Sequence, residues 1–196
     1  KQTKKAIRNL SLIPIKTKVK NIHIKEDMHF EYRTINSTKF KFPEMVGPNQ
    51  NPFLPWDYEL EIEYIMDNHV LILNKYPVQL GHMLLITNDW DAQANWLTID
   101  DWSALEEVDN DTTGLWFFNS HKDSGASQPH KHIQLLRREH NAQTCPRDEW
   151  FKLLIKHGIC SNTILNKSLK VVSRSKSHQT RLGINLYHQY IYLCQQ

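Results

Sequence analysis

Residues 119–134 read NSHKDSGASQPHKHIQ and run on into the apolar pair Leu135 and Leu136. If the end of this stretch is a β-strand, successive side chains go to opposite faces. His130, His132 and Gln134 then line one face, and Lys131, Ile133 and Leu135 the other. Three nitrogen-bearing side chains stand in a row, about 6.6 Å apart. The loop ahead of them, Ser124, Gly125, Ala126, Ser127 and Gln128, has little bulk, so backbone N–H groups and hydroxyls can come close to an anion. Polyphosphate suits such a surface, and the chemistry favoured is a histidine nucleophile aimed at a phosphate.

With 11 histidines in 196 residues, a His-x-His pair arises by chance roughly 0.6 times. The pair alone therefore decides nothing. Specificity comes from the order of small residues, Ser, Gln, two histidines and a further Gln between two apolar runs. A structural histidine pair is one competing reading. Another is a zinc ion on His130 and His132, completed by His121 or His140, in which the small-residue loop and Gln134 have no role.

A chain of 196 residues with 40% hydrophobic content can bury one sizeable core, so one domain over 1–196 is expected. Twenty-four basic against 21 acidic residues give a net charge of +3, far from the dense cationic face of a nucleic-acid binder. A small anionic substrate fits better. Lys1, Lys4, Lys5, Arg8, Lys16, Lys18 and Lys20 crowd the first twenty positions, and more run from Lys167 to Arg181; both read as solvated or frayed ends. Trp90, Trp96, Trp102 and Trp116 fall within or beside amphipathic runs and are expected in core and lid packing. Cys145, Cys160 and Cys194 form an odd set without C-x-x-C spacing, which points to a reduced, cytoplasmic setting. No secretory h-region or bilayer-length apolar run is visible, so no membrane is expected.

Residues 36–55 are rich in Pro, Asn and Lys and read as a long surface loop. Leu60 to Ile65, Val70 to Leu73 and Met83 to Thr87 read as three antiparallel strands joined by NKYPVQLGH and its neighbours. Thr98 opens a T-x-x-D capping pattern, and Trp102, Leu105 and Val108 recur at helical spacing, which predicts a helix over about 99–109. Leu115 to Phe118 is a short aromatic strand delivering Asn119, and Lys131 to Leu136 is the strand carrying the candidate face. The result is an α+β fold, with a helix on one face of the sheet and ligand loops at its open edge. Further helices are expected over 150–157 and 182–193.

The string GASQPHKHIQLL resembles the active-site motif of the diadenosine tetraphosphate phosphorylases, also called ATP adenylyltransferases, in the His-x-His-x-Gln branch of the histidine-triad superfamily. LIPIKT (12–17), NPFLPWD (51–57), LNKYPVQLGHMLLIT (73–87) and GLWFFN (114–119) also resemble the family, in the right order. Together they cover roughly residues 10 to 138, and five ordered matches rarely arise by accident. The resemblance implies a histidine-triad-like antiparallel sheet with flanking helices. It implies that inorganic phosphate cleaves diadenosine tetraphosphate into ATP and ADP through a nucleotidyl-histidine intermediate.

Carried onto this chain, the resemblance makes His132 the nucleophile, with His130 in support and Gln134 donating its amide to a phosphate oxygen. A backbone carbonyl or similar acceptor is expected to fix the His132 tautomer. Asn119, Ser120, Gly125, Ala126, Ser127 and Gln128 would surround the phosphates, Asn74 would meet the ribose, and Lys75 would pair with the polyphosphate. Arg33 and Lys39 match basic positions near the family's start. Magnesium would accompany the dinucleoside polyphosphate rather than occupy a protein cage. The family's closing segment finds no match here, so residues 140–196 fall outside the resemblance and a fragment or short form is expected. His121 and Lys122 stand where the family commonly has smaller residues, leaving phosphorolysis and hydrolysis both open. A nucleotide-binding module without turnover is the remaining alternative, and the oligomeric state is not specified.

Overall fold

The apolar runs of the middle of the chain form one five-stranded antiparallel sheet. The computed structural model describes residues 1–25, 28–35, 51, 53–112 and 114–137. In chain order the elements are α1 (Gln2–Arg8), β1 (Thr17–Lys25), β2 (Met28–Ile35), β3 (Glu61–Ile65), β4 (His69–Leu73), β5 (His82–Thr87), α2 (Ile99–Asp111), β6 (Gly114–Phe117), a 3₁₀ turn (Lys122–Ser124) and β7 (His132–Arg137). The main sheet has the order β3-β4-β5-β7-β6, and β1 and β2 form a separate hairpin. The α+β expectation holds, as do the three strands, the helix and both strands flanking the site.

β7 lies inside the sheet, with Ile86 opposite His132 and Leu84 opposite Gln134 on β5 and Phe117 opposite Gln134 on β6. Alternation along the paired strands sorts their side chains. His82, Leu84, Ile86, His132 and Gln134 belong to one face; Met83, Leu85, Ile133 and Leu135 belong to the other. The second face meets α2, which starts where Thr98 and Asp101 form a full capping box and buries Ala104, Leu105 and Val108. A capping box satisfies two helix-start N–H groups that would otherwise lack partners.

Lys131 falls just before β7 rather than within it, because its N–H is donated to the Asp91 carbonyl (2.7 Å), away from the ladder. The basic N-terminus is a second correction. Residues 2–8 are helical and put Ala6 in the core, while Leu12 and Ile15 of the LIPIKT motif are also buried. Ile13 and Ile15 donate their N–H groups to the carbonyls of Lys75 and Pro77, at 2.8 and 3.0 Å. The basic side chains stay in solvent, as expected, but the backbone they solvate is ordered by its apolar neighbours. Trp102 and Trp116 pack against the core as expected, whereas Trp90 and Trp96 are half exposed because both lie in the turns leading to α2.

Most of the long loop at 36–55, the helices expected over 150–157 and 182–193, all three cysteines, Lys39 and His140 lie outside the described residues. Among the described residues, no helix is long and apolar enough to cross a membrane.

Candidate active site

His132 is almost fully buried and its ring is held by its own strand's start: Nδ1 lies 2.8 Å from the carbonyl oxygen of His130. A carbonyl only accepts, so Nδ1 carries the proton and Nε2 keeps its lone pair. Burial lowers the pKa of the ring, and the bond to the His130 carbonyl opposes that only in part. The ring is thus neutral near pH 7, the form in which an imidazole attacks an electrophile.

His130 is equally buried but has no nitrogen to spare. Nε2 sits 3.0 Å from the Thr87 carbonyl and 2.8 Å from the Thr87 hydroxyl, so it donates there. Nδ1 accepts from the Asn51 side-chain amide at 2.8 Å, and Asn51 Oδ1 is in turn held by the Phe53 N–H at 3.0 Å. Burial lowers the pKa of this ring too. Phe53 meets both histidines edge-on, with ring centroids 5.6 Å away in each case. The first histidine is therefore an anchor, and its main-chain oxygen orients the second.

A directed chain of hydrogen bonds sets Gln134. The Tyr76 N–H donates to Asn74 Oδ1 (3.0 Å), which leaves the Asn74 amide to donate to His82 Nδ1 (3.1 Å). His82 Nε2–H then donates to Gln134 Oε1 (3.1 Å). Every donor in the series is used in one direction, so the Gln134 NH₂ end is left to meet an incoming acceptor. Burial lowers the His82 pKa, keeping that ring neutral with one donor and one acceptor.

Gln93, buried between strands, accepts from the His132 N–H (2.7 Å) and donates to the carbonyls of Asn119 (2.6 Å) and His132 (3.2 Å). Beyond Asn119, His121 is the N-cap of the 3₁₀ turn, its Nδ1 accepting from the Asp123 N–H and its own N–H donated to Ser124 Oγ. Gly125 follows at φ 98°, in the left-handed region that favours glycine. A Cβ there would lie 3.4 Å from Asn119 Nδ2, so the loop curls closely over Asn119. Asn119, Ala126 and Gln128 are half-buried and Ser120, Gly125 and Ser127 exposed; the Gln128 Oε1 atom is buried without a partner among the described residues.

Behind the sheet, the fully buried Lys131 ammonium pairs with Asp91 and with Asp101. It also donates to the Trp96 carbonyl at 3.2 Å. Asp101 also receives His69 Nε2 at 2.9 Å. Burial alone would raise the Asp101 carboxyl, but bonds from His69 and Thr98 and the Lys131 charge bring it below its ordinary value. This cluster fastens β4 and the start of β7 to α2.

The structure brings together His132, Gln134, Asn74 (through His82) and Asn119 (through Gln93). It leaves Lys75 exposed beside the Tyr76 ring, and Arg33 is bound to Glu31 and to the Val78 carbonyl rather than to the site. Lys39 lies outside the described residues. His82, Asn51, Thr87 and Gln93 are additions. His82 has a sequence signal, since it shares the parity of Leu84 and Ile86, but only once the β5–β7 pairing is known. Gln93 has none. Among the described residues, no group of three His, Cys, Asp or Glu is placed to hold a metal ion.

A family model described as the Ap4A phosphorylase N-terminal domain matches residues 1–151. Two Saccharomyces cerevisiae proteins are similar: Protein APA1, 39% identical over 74 residues, 34% of this chain and 23% of that protein, and diadenosine 5',5'''-P1,P4-tetraphosphate phosphorylase 2, 33% identical over 102 residues, 45% and 31%. The chain thus shares under a third of either relative's length. The crystal structure of yeast Ap4A phosphorylase Apa2 in complex with Ap4A is 25% identical with a TM-score of 0.59, over 72% of this chain and 50% of that one. The complex with AMP is 24% identical with a TM-score of 0.58, over 72% and 49%.

Proposed function

The chain belongs to the Ap4A phosphorylase N-terminal domain family, and from that premise we propose that it transfers a nucleotidyl group from diadenosine tetraphosphate to inorganic phosphate by way of His132. The observation carrying this reading is the fixed tautomer of His132, with Nδ1–H committed to the His130 carbonyl and Nε2 unprotonated. That nitrogen attacks the α-phosphorus. An N–P bond forms, the P–O bond to the leaving group breaks, and ATP departs as an anion that needs no proton. Phosphate then attacks the nucleotidyl-histidine, giving ADP and restoring the neutral ring.

The Gln134 amide supplies an N–H to a non-bridging oxygen as charge builds there; lacking a titratable proton, it stabilises charge without acting as an acid. Asn119, Ser120, Gly125, Ala126, Ser127 and Gln128 provide the phosphate-facing loop, and Asn74 meets the ribose. The yeast phosphorylase crystallised with Ap4A supports this substrate class. Magnesium would accompany the polyphosphate rather than occupy a protein cage. The setting proposed is cytoplasmic. The zinc reading asks His130 for a free nitrogen, and both are engaged.

The test is incubation with labelled Ap4A, followed by mass spectrometry of the protein and chromatography of products with phosphate, water or hexose phosphate as acceptor. A nucleotidylated histidine peptide in the unmodified protein, none in His132→Gly, and ATP with ADP only when phosphate is present are expected. Equal labelling of both proteins rejects His132 as nucleophile. Tight Ap4A binding with no adduct makes the chain a binding module, and AMP in place of ADP makes it a hydrolase.

A further inference from the structure

β6 and β7 are paired only from Gly114↔Arg137 to Phe117↔Gln134. Continued in register, the next partner of His132 on that side would be Asn119. The ladder does not continue; the side chain of Gln93 stands between them. Its Oε1 takes the His132 N–H at 2.7 Å, and its Nε2 gives one hydrogen to the Asn119 carbonyl at 2.6 Å and the other to the His132 carbonyl at 3.2 Å. The backbone beside it is anchored as well, by Gln93 N–H to the Pro129 carbonyl (2.8 Å) and a bridge between Ala92 and His130.

We propose that Gln93 is a positioning residue for nucleotidyl transfer: a side-chain wedge that holds the fork of β6 and β7 open and fixes the His132 main chain against Asn119. The inference rests on the phosphorolysis reading above.

The residue type follows from the three bonds. The two strands part beyond Phe117 and Gln134, and a parted β-strand leaves backbone groups without partners, which a buried site does not tolerate. A primary amide supplies two donors and an acceptor in one plane, replacing the lost ladder bonds on His132 while spanning to Asn119. A carboxylate in the same place would face two carbonyl oxygens. An apolar side chain would satisfy none of the three groups. Because small displacements of a nucleophile cost large factors in rate, losing the wedge lowers the rate more than the number of competent sites.

The experiment compares Gln93→Leu and Gln93→Glu with the unmodified chain by quenched-flow. The burst of His132 nucleotidylation counts competent sites, and the burst rate gives the speed per site; near-UV circular dichroism reports folding. Expected is a per-site rate at least tenfold lower in both variants, with native spectra in Gln93→Glu, whose volume is unchanged. A per-site rate within twofold of the unmodified chain, with only the burst amplitude or Tm reduced, makes Gln93 a structural residue and overturns the inference. So does failure of both variants to fold. If the unmodified chain shows no adduct at all, the reaction itself is wrong and this inference falls with it.

Discussion

Replacing His82 with leucine cuts the Tyr76–Asn74–His82–Gln134 chain at its centre while leaving His132 and its partners untouched. Two bonds of 3.1 Å disappear. An unsatisfied buried polar group costs about 1–3 kcal/mol; Asn74 and Gln134 are only half-buried, so water recovers part of this and about 2 kcal/mol of stability is lost for the pair. The effect on turnover is separate. The His82 N–H decides which end of the Gln134 amide points away from His82, toward the phosphoryl group of the proposed reaction, and one such bond is worth about 0.5–1.5 kcal/mol, or about 2- to 13-fold in rate. On the proposed mechanism, removing the donor outright, in Gln134→Leu, forfeits an oxyanion contact worth about 10²–10³-fold. Initial rates of ATP release from Ap4A at saturating phosphate, with urea titrations alongside, are thus expected to rank unmodified above His82→Gln, which keeps an amide donor, above His82→Leu, above Gln134→Leu. Wild-type turnover in His82→Leu, or a loss as deep as that of Gln134→Leu, refutes the orienting role.

Three other outcomes follow from the same geometry. Lys131→Met strands Asp91 and Asp101 without their cation, and removing one partner of a buried ion pair costs about 3–5 kcal/mol, to be read from chemical denaturation; a change under 1 kcal/mol contradicts the buried-pair geometry. Burial lowers His82, His130 and His132, so below about pH 6.5 the unfolded chain takes up protons that the folded chain refuses, and stability falls with pH by up to about 1.4 kcal/mol per pH unit for each group. Activity falls in the same direction, with a midpoint below 6.5, as His132 is protonated; stability that is flat between pH 7 and 5 is inconsistent with three neutral buried rings. Gly114→Ala sets a methyl group against the Leu135 side chain and 2.7 Å from the Leu136 carbonyl, an overpacking worth about 1–3 kcal/mol, and unchanged urea unfolding would show that the strands separate freely there.

The strands and α2 were legible because their patterns are local: alternation in 61–73 and 83–87, and a capping box ahead of Trp102, Leu105 and Val108. His132 and Gln134 were legible because strand parity needs only the sequence of one strand. His82, Gln93 and Asn51 act through partners 52, 39 and 79 positions away, and single-strand parity says nothing of contacts at that range. The β1–β2 hairpin is harder to read for a different reason: Lys18 and Lys20 lie in a crowd of basic residues that reads as a solvated end, while their spacing of two, within β1, is the strand signal.

Alternate positions of β7 answer to different neighbours: Ile133 and Leu135, with Lys131 just ahead of them, to the helix behind, and His132 and Gln134 to whatever enters from the front. Changes on the two sides should therefore couple through the backbone they share rather than simply add. An engineer seeking a new acceptor or nucleoside preference on the front has to keep the packing behind it, because a shift of the strand caused on either side moves His132.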